Sequence, residues 1–223
     1  MPDPQTAHYY PAIFEAPDLE QAKAIILTEE GPDATTSARW ERETPYVLEL
    51  IRRQIPLRPD TLVLDYGCGI GRVAKVLIEA SGCRVIGVDI SASMRRQAIE
   101  YVGSDRFMVA SPGQFDGLVA AGLRVQAAIA IWVLQHCMSP AEDIARIRTS
   151  LTPDGQVFVL NMPKRAVPAV TADRQFAWVP DAIDVAGLLR GEFRPLADGV
   201  PDPARTPNMA DAGAYWMHLR RGR

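Results

Sequence analysis

The chain has 223 residues, of which 48% are hydrophobic and 23% charged, and its formal net charge is −3. This length suits one domain with appendages, and a fold of this size removes about 70% of its unfolded surface from water without a metal or a disulfide. The slight acidic excess argues against a nucleic-acid partner. The longest purely apolar run, residues 127–134, is far shorter than the roughly 20 residues that cross a bilayer, so no membrane partner is predicted.

The cysteines and histidines indicate neither a disulfide framework nor a metal site. Cys68, Cys83 and Cys137 are an odd number of thiols in unrelated contexts, which is typical of reduced cysteines. The three histidines lie far apart, and the sequence has no spacing typical of metal ligands. Residues 1–4 lack a basic stretch followed by an apolar one, so no secretory signal is predicted. We therefore expect a cytoplasmic protein without a structural metal.

A helix is predicted ahead of the middle of the chain. Val47, Leu48, Ile51 and Ile55 recur at helical spacing within residues 44–55. This helix is expected to pack on the sheet that follows it.

Between residues 60 and 160, short β-rich runs alternate with helical patterns. Ser91 is expected to cap one helix, and Pro112 and Pro140 stand where two others begin. Residues 153–155, Pro-Asp-Gly, predict a turn. The alternation predicts a doubly wound α/β domain with a parallel sheet and helices on both faces. The predicted strands are 61–65, 84–89, 106–110, 126–133 and 156–161, and the helices between them are 71–80, 91–102, 112–121 and 141–150.

The two ends of the chain differ from its middle in proline content. Eight prolines fall in residues 1–60, three in 61–160 and seven in 161–223. Proline has no N–H for a sheet ladder, so the ends are predicted to contain loops that cover the site. Within the last part, residues 193–196 and 214–219 are predicted to pair as an antiparallel extension. We expect an N-terminal lid or cap at 1–43 and one domain at 44–223.

A glycine loop follows the first predicted strand. Gly67, Gly69 and Gly71 stand at alternate positions, where glycine permits a tight turn and a close approach of ligand atoms to the backbone. The next helix N-terminus favours a carboxylate or a phosphate. A dinucleotide fingerprint would require a glycine at the position of Arg72. Asp65 is out of place beside a pyrophosphate but suits an ammonium group, so a ligand with an α-amino acid end is favoured over NAD.

Asp89 stands at the tip of the second predicted strand, 18 residues after Gly71. A carboxylate there can accept hydrogen bonds from two ribose hydroxyls. The alternative is an ordinary helix cap, although Ser91 already fills that role. Together with the glycine loop, Asp89 indicates a ligand in which a nucleoside is joined to an amino acid.

These features closely resemble the class I S-adenosylmethionine-dependent methyltransferase family. The matching stretches are VLDYGCGIGR (63–72), VIGVDIS (85–91), AAIAIWVLQHC (127–137) and LTPDGQVFVLN (151–161). The resemblance covers roughly residues 44–161 well and the C-terminal part weakly. It implies a mostly parallel seven-stranded sheet, helices on both faces, a C-terminal antiparallel hairpin, and S-adenosylmethionine as the cofactor.

The resemblance also implies the cofactor-binding residues. The glycine loop surrounds the methionine end, Asp89 holds the ribose, and the end of the fourth strand faces the methyl group and its acceptor. The family often has acidic residues after the third strand and at the start of the fourth, where this chain has Ala110-Ser111 and Gln126. The implied cofactor-binding set is Asp65, Gly67, Cys68, Gly69, Gly71, Asp89, Ile90, Ala110, Ser111 and Trp132.

Candidate catalytic groups follow the fourth strand. His136 is either a base near the acceptor or a histidine whose hydrogen bonds are satisfied at the strand end. Gln135 is a candidate for orienting the acceptor. Cys68 is expected to be a small buried residue rather than a nucleophile. Arg39 and Trp40 are candidates for a lid over the methionine end, with a merely packed Trp40 as the equal alternative.

The predicted function is in-line methyl transfer to an oxygen or nitrogen atom of a small-molecule acceptor. One alternative is a protein that binds S-adenosylmethionine without catalysis. A less favoured alternative is an NAD(P)-dependent oxidoreductase, against which Arg72 and Asp65 argue. Tyr9 and Tyr10 are expected to be core or surface aromatics rather than an acceptor cage. The sequence leaves the acceptor, the choice between O- and N-methylation, and the oligomeric state open.

Overall fold

Strands and helices alternate through the middle of the chain, as the apolar periodicity predicts. The computed structural model describes residues 8–171 and 173–222. The strands are β1 (His8–Tyr9), β2 (Leu62–Tyr66), β3 (Arg84–Val88), β4 (Phe107–Ala110), β5 (Val125–Ile131), β6 (Leu151–Asn161), β7 (Val167–Val170), β8 (Phe176–Val179), β9 (Phe193–Gly199) and β10 (Tyr215–Arg221). The helices are α1 (Leu19–Ile26), α2 (Thr36–Gln54), α3 (Arg72–Ser81), α4 (Ala92–Val102), α5 (Pro112–Ala120), α6 (Pro140–Ser150), α7 (Val185–Glu192) and α8 (Pro207–Asp211), with a 3-10 helix at Pro11–Phe14.

The main sheet has seven strands in the order β4-β3-β2-β5-β6-β10-β9. Neighbouring strands from β4 to β6 pair in parallel, whereas β10 pairs antiparallel with both β6 and β9. The predicted doubly wound fold, with its seven strands and C-terminal antiparallel hairpin, is therefore confirmed. Because β2 to β6 are parallel, the loops at their carboxyl ends meet along one edge of the sheet, where ligands bind in such folds.

The core lies on both faces of this sheet, because the central strands are apolar on both sides. In β5, residues Ala127 to Ala130 are almost fully buried. Phe115, Ile144 and Ile147 from α5 and α6 cover one face. Ile51 and Leu77, from α2 and α3, belong to the group that covers the other face. The layers hold the carboxyl edge of the sheet in a fixed position.

Two predicted boundaries differ from the structure. The turn expected at residues 153–155 lies within β6. Val125 of β5 pairs with Leu151 and Ala127 pairs with Gln156, so residues 152–155 bulge out of the ladder. The helix expected at 44–55 begins at Thr36, because the Thr35 side chain accepts a hydrogen bond from the Ala38 N–H and caps an earlier turn. This helix α2 passes through Pro45, so the boundary predicted between residues 43 and 44 falls inside it.

A second, three-stranded antiparallel sheet in the order β1-β7-β8 was not predicted. It joins the N-terminal segment to residues 167–179, which follow the main sheet's β6. Its strands are two to four residues long and contain Pro168, so they carry little alternation that a sequence pattern could reveal. None of the helices formed by residues 8–171 and 173–222 has the length and apolar character needed to cross a bilayer.

Candidate active site

A cavity of about 1080 Å³ opens at the carboxyl edge of the main sheet. The ends of β2, β3 and β5 form one side of it, and α1, the 3-10 helix and β8 contribute to the other. Seven of the residues predicted for the site line this cavity: Gly67, Gly69, Asp89, Ile90, Trp132, Gln135 and His136.

The glycine loop requires glycine for its backbone conformation and for its contacts. Gly67, Gly69 and Gly71 have φ angles of 72°, 54° and 80°, in the left-handed region that side chains disfavour. A Cβ at Gly69 would lie 2.7 Å from Cδ1 of Ile26 in α1. The N-terminal segment therefore packs directly on the loop, and Gly69 is a point of contact between the two.

Asp89 fixes the glycine loop and the start of α4 at once. Its Oδ2 accepts a hydrogen bond of 2.8 Å from the Gly69 N–H, and its Oδ1 accepts one of 2.8 Å from the Ser91 N–H. Burial raises the pKa of Asp89, and the two N–H donors act in the opposite direction. Each carboxylate oxygen keeps a second lone pair for a further donor. Ser91 caps α4 as predicted, since its hydroxyl accepts from the Met94 N–H.

Asp65 lies behind the loop rather than on the cavity wall. It is 3% exposed, and its Oδ2 has no hydrogen-bond partner within the described residues. Burial raises the pKa of Asp65 to about 7, although the positive charge of Arg72 acts to lower it. Arg72 is itself buried, donates to the Thr44 hydroxyl at 3.2 Å and lies over the Trp40 ring. Contact between Asp65 and an ammonium group stays a prediction.

Four other predicted residues do not line the cavity. Cys68 is buried, with its sulfur 2.7 Å from where a Cβ on Gly87 would be. Ser111 caps α5 by accepting a hydrogen bond from the Gln114 N–H. Ala110 pairs with β3, and Gly71 is the N-cap of α3. The roles predicted for these four positions stay predictions.

His136 is held as a neutral imidazole with a defined orientation. Its Nδ1 donates to the Ala166 carbonyl at 2.7 Å, which leaves Nε2 as an acceptor. The Gln135 side-chain nitrogen lies 3.1 Å from this Nε2, while its oxygen accepts from the Met162 N–H at 2.7 Å. That second bond fixes the amide so that its NH₂ group faces the imidazole. Burial lowers the pKa of His136, with the bond to Ala166 opposing the shift.

Trp132, the residue that follows β5, has a strained conformation. Its φ is 60°, an unusual value for a residue with a bulky side chain. Its indole Nε1 is buried and has no hydrogen-bond partner in the described part of the chain. Strain and an unused buried donor both occur more often where a ligand binds.

An ionic network that sequence reasoning missed also lines the cavity. The Tyr66 hydroxyl contacts Asp143 and accepts a hydrogen bond of 2.9 Å from Arg146. Arg146 also donates to Asp143 and to Asp116, each at 2.7 Å. Asp143 and Arg146 are three positions apart on α6, a spacing that could have indicated an ion pair. The position of Tyr66 between Asp65 and Gly67 carried no comparable signal.

The segment proposed as a lid contributes Arg39 but not Trp40 to the cavity lining. Arg39 donates to the Thr28 carbonyl, to Glu30 and to Glu43. Trp40 instead packs edge-on against Tyr101. Within the described residues, no cluster of three or more His, Cys, Asp or Glu side chains could hold a metal ion.

Comparison with known sequences connects this site to one family. A family model described as a methyltransferase domain matches residues 39–189. Trans-aconitate 2-methyltransferase of Paracidovorax citrulli (strain AAC00-1) is 30% identical over 173 residues, which cover 72% of this chain and 62% of that protein. The chain thus spans less than two thirds of the length of this relative.

Solved structures show the same fold. Geranyl diphosphate C-methyltransferase from Streptomyces coelicolor A3(2) superposes with a TM-score of 0.60 at 12% identity, covering 97% of this chain and 90% of that one. The [4+2]-cyclase SpnF superposes with a TM-score of 0.61 at 18% identity, covering 88% and 85% of the two chains. At these identities the likeness concerns the fold alone.

Proposed function

The chain belongs to the class I S-adenosylmethionine-dependent methyltransferase family, its cofactor is S-adenosylmethionine, and on this basis we propose that it methylates an oxygen or nitrogen atom of a small molecule. One observation carries the proposal. Gly67, Gly69 and Asp89 face into the same cavity as Gln135 and His136, so cofactor-binding and acceptor-facing groups share one space.

The residues of the cavity fit this cofactor. Asp89 has spare lone pairs for ribose hydroxyls, and the backbone at Gly67 and Gly69 is open to close approach. The unused Nε1–H of Trp132 is a donor available to a polar ligand atom. When bound, the cofactor supplies an electrophilic sulfonium methyl group, so the protein has to position the acceptor and exclude water.

In the proposed mechanism His136 is the general base. Its neutral Nε2 can accept the proton of an acceptor hydroxyl placed between it and the Gln135 NH₂ group, while the Gln135 oxygen stays bonded to the Met162 N–H and the bond from Nδ1 to Ala166 holds the ring in place. Gln135 then orients the acceptor. General-base catalysis of this kind contributes about 10²–10⁴-fold to a rate.

The N-terminal segment is proposed to exclude water from the methionine end. Ile26 of α1 packs on Gly69, and Ile25 and Ile26 contact the cluster that contains Ile70 and Met94. Arg39 closes the same side of the cavity through its bonds to Glu30 and Glu43. A lid of this kind favours transfer of the methyl group to the acceptor over reaction with water.

Three further expectations belong to the proposal. The acceptor is a small molecule rather than a nucleic acid, in keeping with the net charge of −3, and the protein works in the cytoplasm rather than on a membrane. The alternative of a binding protein without catalysis draws on Ala110 and Gln126, which replace acidic residues common in the family. Gln126 has a structural role, since its side-chain oxygen accepts from the Leu62 N–H at 2.7 Å.

Calorimetry with two ligands tests the cofactor part of the proposal. We expect S-adenosylhomocysteine, the demethylated cofactor, to bind and NADH not to bind. Binding of NADH alone would favour the oxidoreductase alternative, and binding of neither would contradict both.

Transfer itself is tested with tritium-labelled S-adenosylmethionine and a cell extract separated into small-molecule, RNA and protein fractions. We expect label in the small-molecule fraction.

His136→Gln is expected to lower transfer to a hydroxyl acceptor by about 10²-fold or more. Because burial lowers the pKa of His136, the wild-type rate should fall only as the pH drops below 6.5. His8→Gln, an exposed residue outside the cavity, is the matched control. Equal rates and pH profiles for His136→Gln and the wild type would exclude the base role.

A further inference from the structure

The charged residues that line the cavity offer few positive groups to an anionic acceptor. Its acidic residues are Glu30, Asp89, Glu142 and Asp143, whereas its arginines are Arg39 and Arg146. Burial keeps His136 neutral by lowering its pKa. The lining is therefore acidic overall in the described part of the chain.

Both arginines are already held by carboxylates. Arg39 donates to Glu30 at 2.7 Å, to the fully buried Glu43 at 2.7 Å, and to the Thr28 carbonyl at 2.6 Å. Arg146 donates to Asp143 and Asp116, each at 2.7 Å. An acceptor carboxylate that displaced the partners of either arginine would leave an acidic residue without its hydrogen-bond donor. Separating Arg39 from the fully buried Glu43 is strongly unfavourable. The pairs of Arg146 are partly exposed, and an acceptor there would have to compete with the two carboxylates that already hold this arginine.

An aromatic wall stands where the acceptor would lie. It consists of Phe14 from the 3-10 helix, His136 after β5, and Trp178 from β8, and all three line the cavity. Their ring centroids are 5.2 Å apart for His136–Trp178, 6.1 Å for Phe14–His136 and 6.3 Å for Phe14–Trp178. These separations are typical of aromatic side chains in mutual contact.

The aromatic wall keeps open surface. Trp178 is 45% exposed although it borders the cavity, and Phe14 is half-buried. Exposed apolar surface that borders a cavity marks a binding site more often than a solvent face. Tilted aromatic side chains with a free face accept a further flat ring by stacking or edge contact.

The order of the sheet places the wall away from the cofactor's ribose. Asp89 follows β3, on one side of β2, whereas His136 follows β5, on the other. Cofactor and aromatic wall thus occupy different ends of one cavity, with the glycine loop between them.

We propose that the methyl acceptor is a planar aromatic molecule without net negative charge, which binds against the wall of Phe14, His136 and Trp178. This inference rests on the proposed methyltransferase function. It separates this chain from the trans-aconitate 2-methyltransferase that it resembles, since trans-aconitate is an anion without an aromatic ring. The aromatic ring would carry the accepting hydroxyl or amine. As its oxygen or nitrogen bonds to the methyl carbon, the methyl carbon–sulfur bond of the sulfonium would break, S-adenosylhomocysteine would leave with the electron pair, and the acceptor's proton would pass to Nε2 of His136.

The test measures binding to the protein saturated with S-adenosylhomocysteine. The probes are catechol (neutral, aromatic), tyramine (cationic, aromatic), benzoate (anionic, aromatic) and trans-aconitate. Calorimetry or ligand-observed NMR gives the dissociation constants. We expect catechol and tyramine to bind, and benzoate and trans-aconitate to bind at least about tenfold more weakly.

Variants of the wall complete the test. Trp178→Ala is expected to weaken catechol binding by about tenfold and to leave the affinity for S-adenosylhomocysteine unchanged. Trp178→Phe keeps an aromatic ring in the wall, so its affinity for catechol should stay close to that of the wild type. Leu196→Ala, an exposed apolar residue of β9 that does not line the cavity, is the control. Benzoate or trans-aconitate binding as tightly as catechol, an unaffected Trp178→Ala variant, or no binding of either aromatic probe would overturn the inference. Failure of S-adenosylhomocysteine to bind would instead contradict the proposed function.

Discussion

The two ends of the cavity are built in different ways. At the end proposed to bind the cofactor (the cofactor end), backbone groups of the glycine loop and the Asp89 carboxylate come from two successive strand–helix connections of one sheet. At the end proposed to bind the acceptor (the acceptor end), Phe14, His136 and Trp178 come from three segments far apart in the chain. The cofactor end therefore depends on backbone conformation at short sequence range. The acceptor end depends on side chains that only the tertiary fold brings together.

The sharpest test of the cofactor end is Asp89→Ala. The change removes the proposed acceptor for the ribose hydroxyls and leaves the N–H groups of Gly69 and Ser91 without their partner. Hydrogen bonds to a charged group contribute about 1.5–3 kcal/mol each, so affinity for S-adenosylhomocysteine should fall by about 100-fold or more. Calorimetry measures the loss. Asp105→Ala, an exposed carboxylate before β4, should leave the affinity unchanged; equal affinities for the two variants would remove Asp89 from the binding site.

A second test, of smaller expected effect, is Gly69→Ala. At φ 54° an alanine costs about 1–2 kcal/mol, and its Cβ would press on Ile26 at 2.7 Å. We expect a lower free energy of unfolding in urea and weaker binding of S-adenosylhomocysteine. Gly113→Ala in α5, where a Cβ meets nothing within 4 Å, should be neutral or stabilising. If both variants were equally stable, the loop would not require a glycine at position 69.

The same difference explains what the sequence could predict. The strands from β2 to β6, the Ser91 cap and the C-terminal hairpin follow from apolar periodicity and local capping, and all were predicted. The largest error in a strand end is at β6, which begins at Leu151 and not at residue 156. The aromatic wall was not predicted, because Phe14 and Trp178 lie in short elements. The pairing of β1 with β7 joins residues about 160 positions apart, and β8 in turn pairs with β7. The link from Tyr66 to Asp143 spans 77 positions and leaves no pattern either.

A variant of Asp65 tests whether this carboxyl contacts the cofactor. The carboxyl is buried behind the glycine loop, so Asp65→Asn should change the affinity for S-adenosylhomocysteine far less than Asp89→Ala. A loss as large as that of Asp89→Ala would instead place Asp65 in contact with the cofactor.

The pH dependence of stability gives a second measure of Asp65. Its pKa rises from 3.8 in the unfolded chain to about 7 in the fold, so the folded state binds this proton more tightly. Its contribution to stability is present below pH 3.8 and is lost as the pH rises through 7. Urea unfolding between pH 5 and 8 should therefore show the wild type losing stability relative to Asp65→Asn as the pH rises. Parallel profiles would mean that the carboxyl is not buried as a neutral acid.

The smallest effect is expected at Glu15, which joins the N-terminal segment to the main domain beside the cofactor end. Its carboxylate accepts hydrogen bonds from the N–H groups of Ala92 (2.8 Å) and Ser93 (2.9 Å) at the start of α4. Slight burial opposes the shift, but these bonds and the Ser93 hydroxyl lower the pKa of Glu15 to about 2.

A carboxylate at a helix N-terminus contributes about 0.3–1 kcal/mol, so Glu15→Gln should lower Tm by about 1–3 °C at pH 7. Because the folded pKa is depressed, this contribution is present above pH 4.5 and is lost as the pH falls toward 2, so the difference in Tm should narrow over that range. Glu79→Gln, an exposed residue of α3, is the control. An unchanged Tm for Glu15→Gln would mean that these two hydrogen bonds of Glu15 contribute little to holding the N-terminal segment on the main domain.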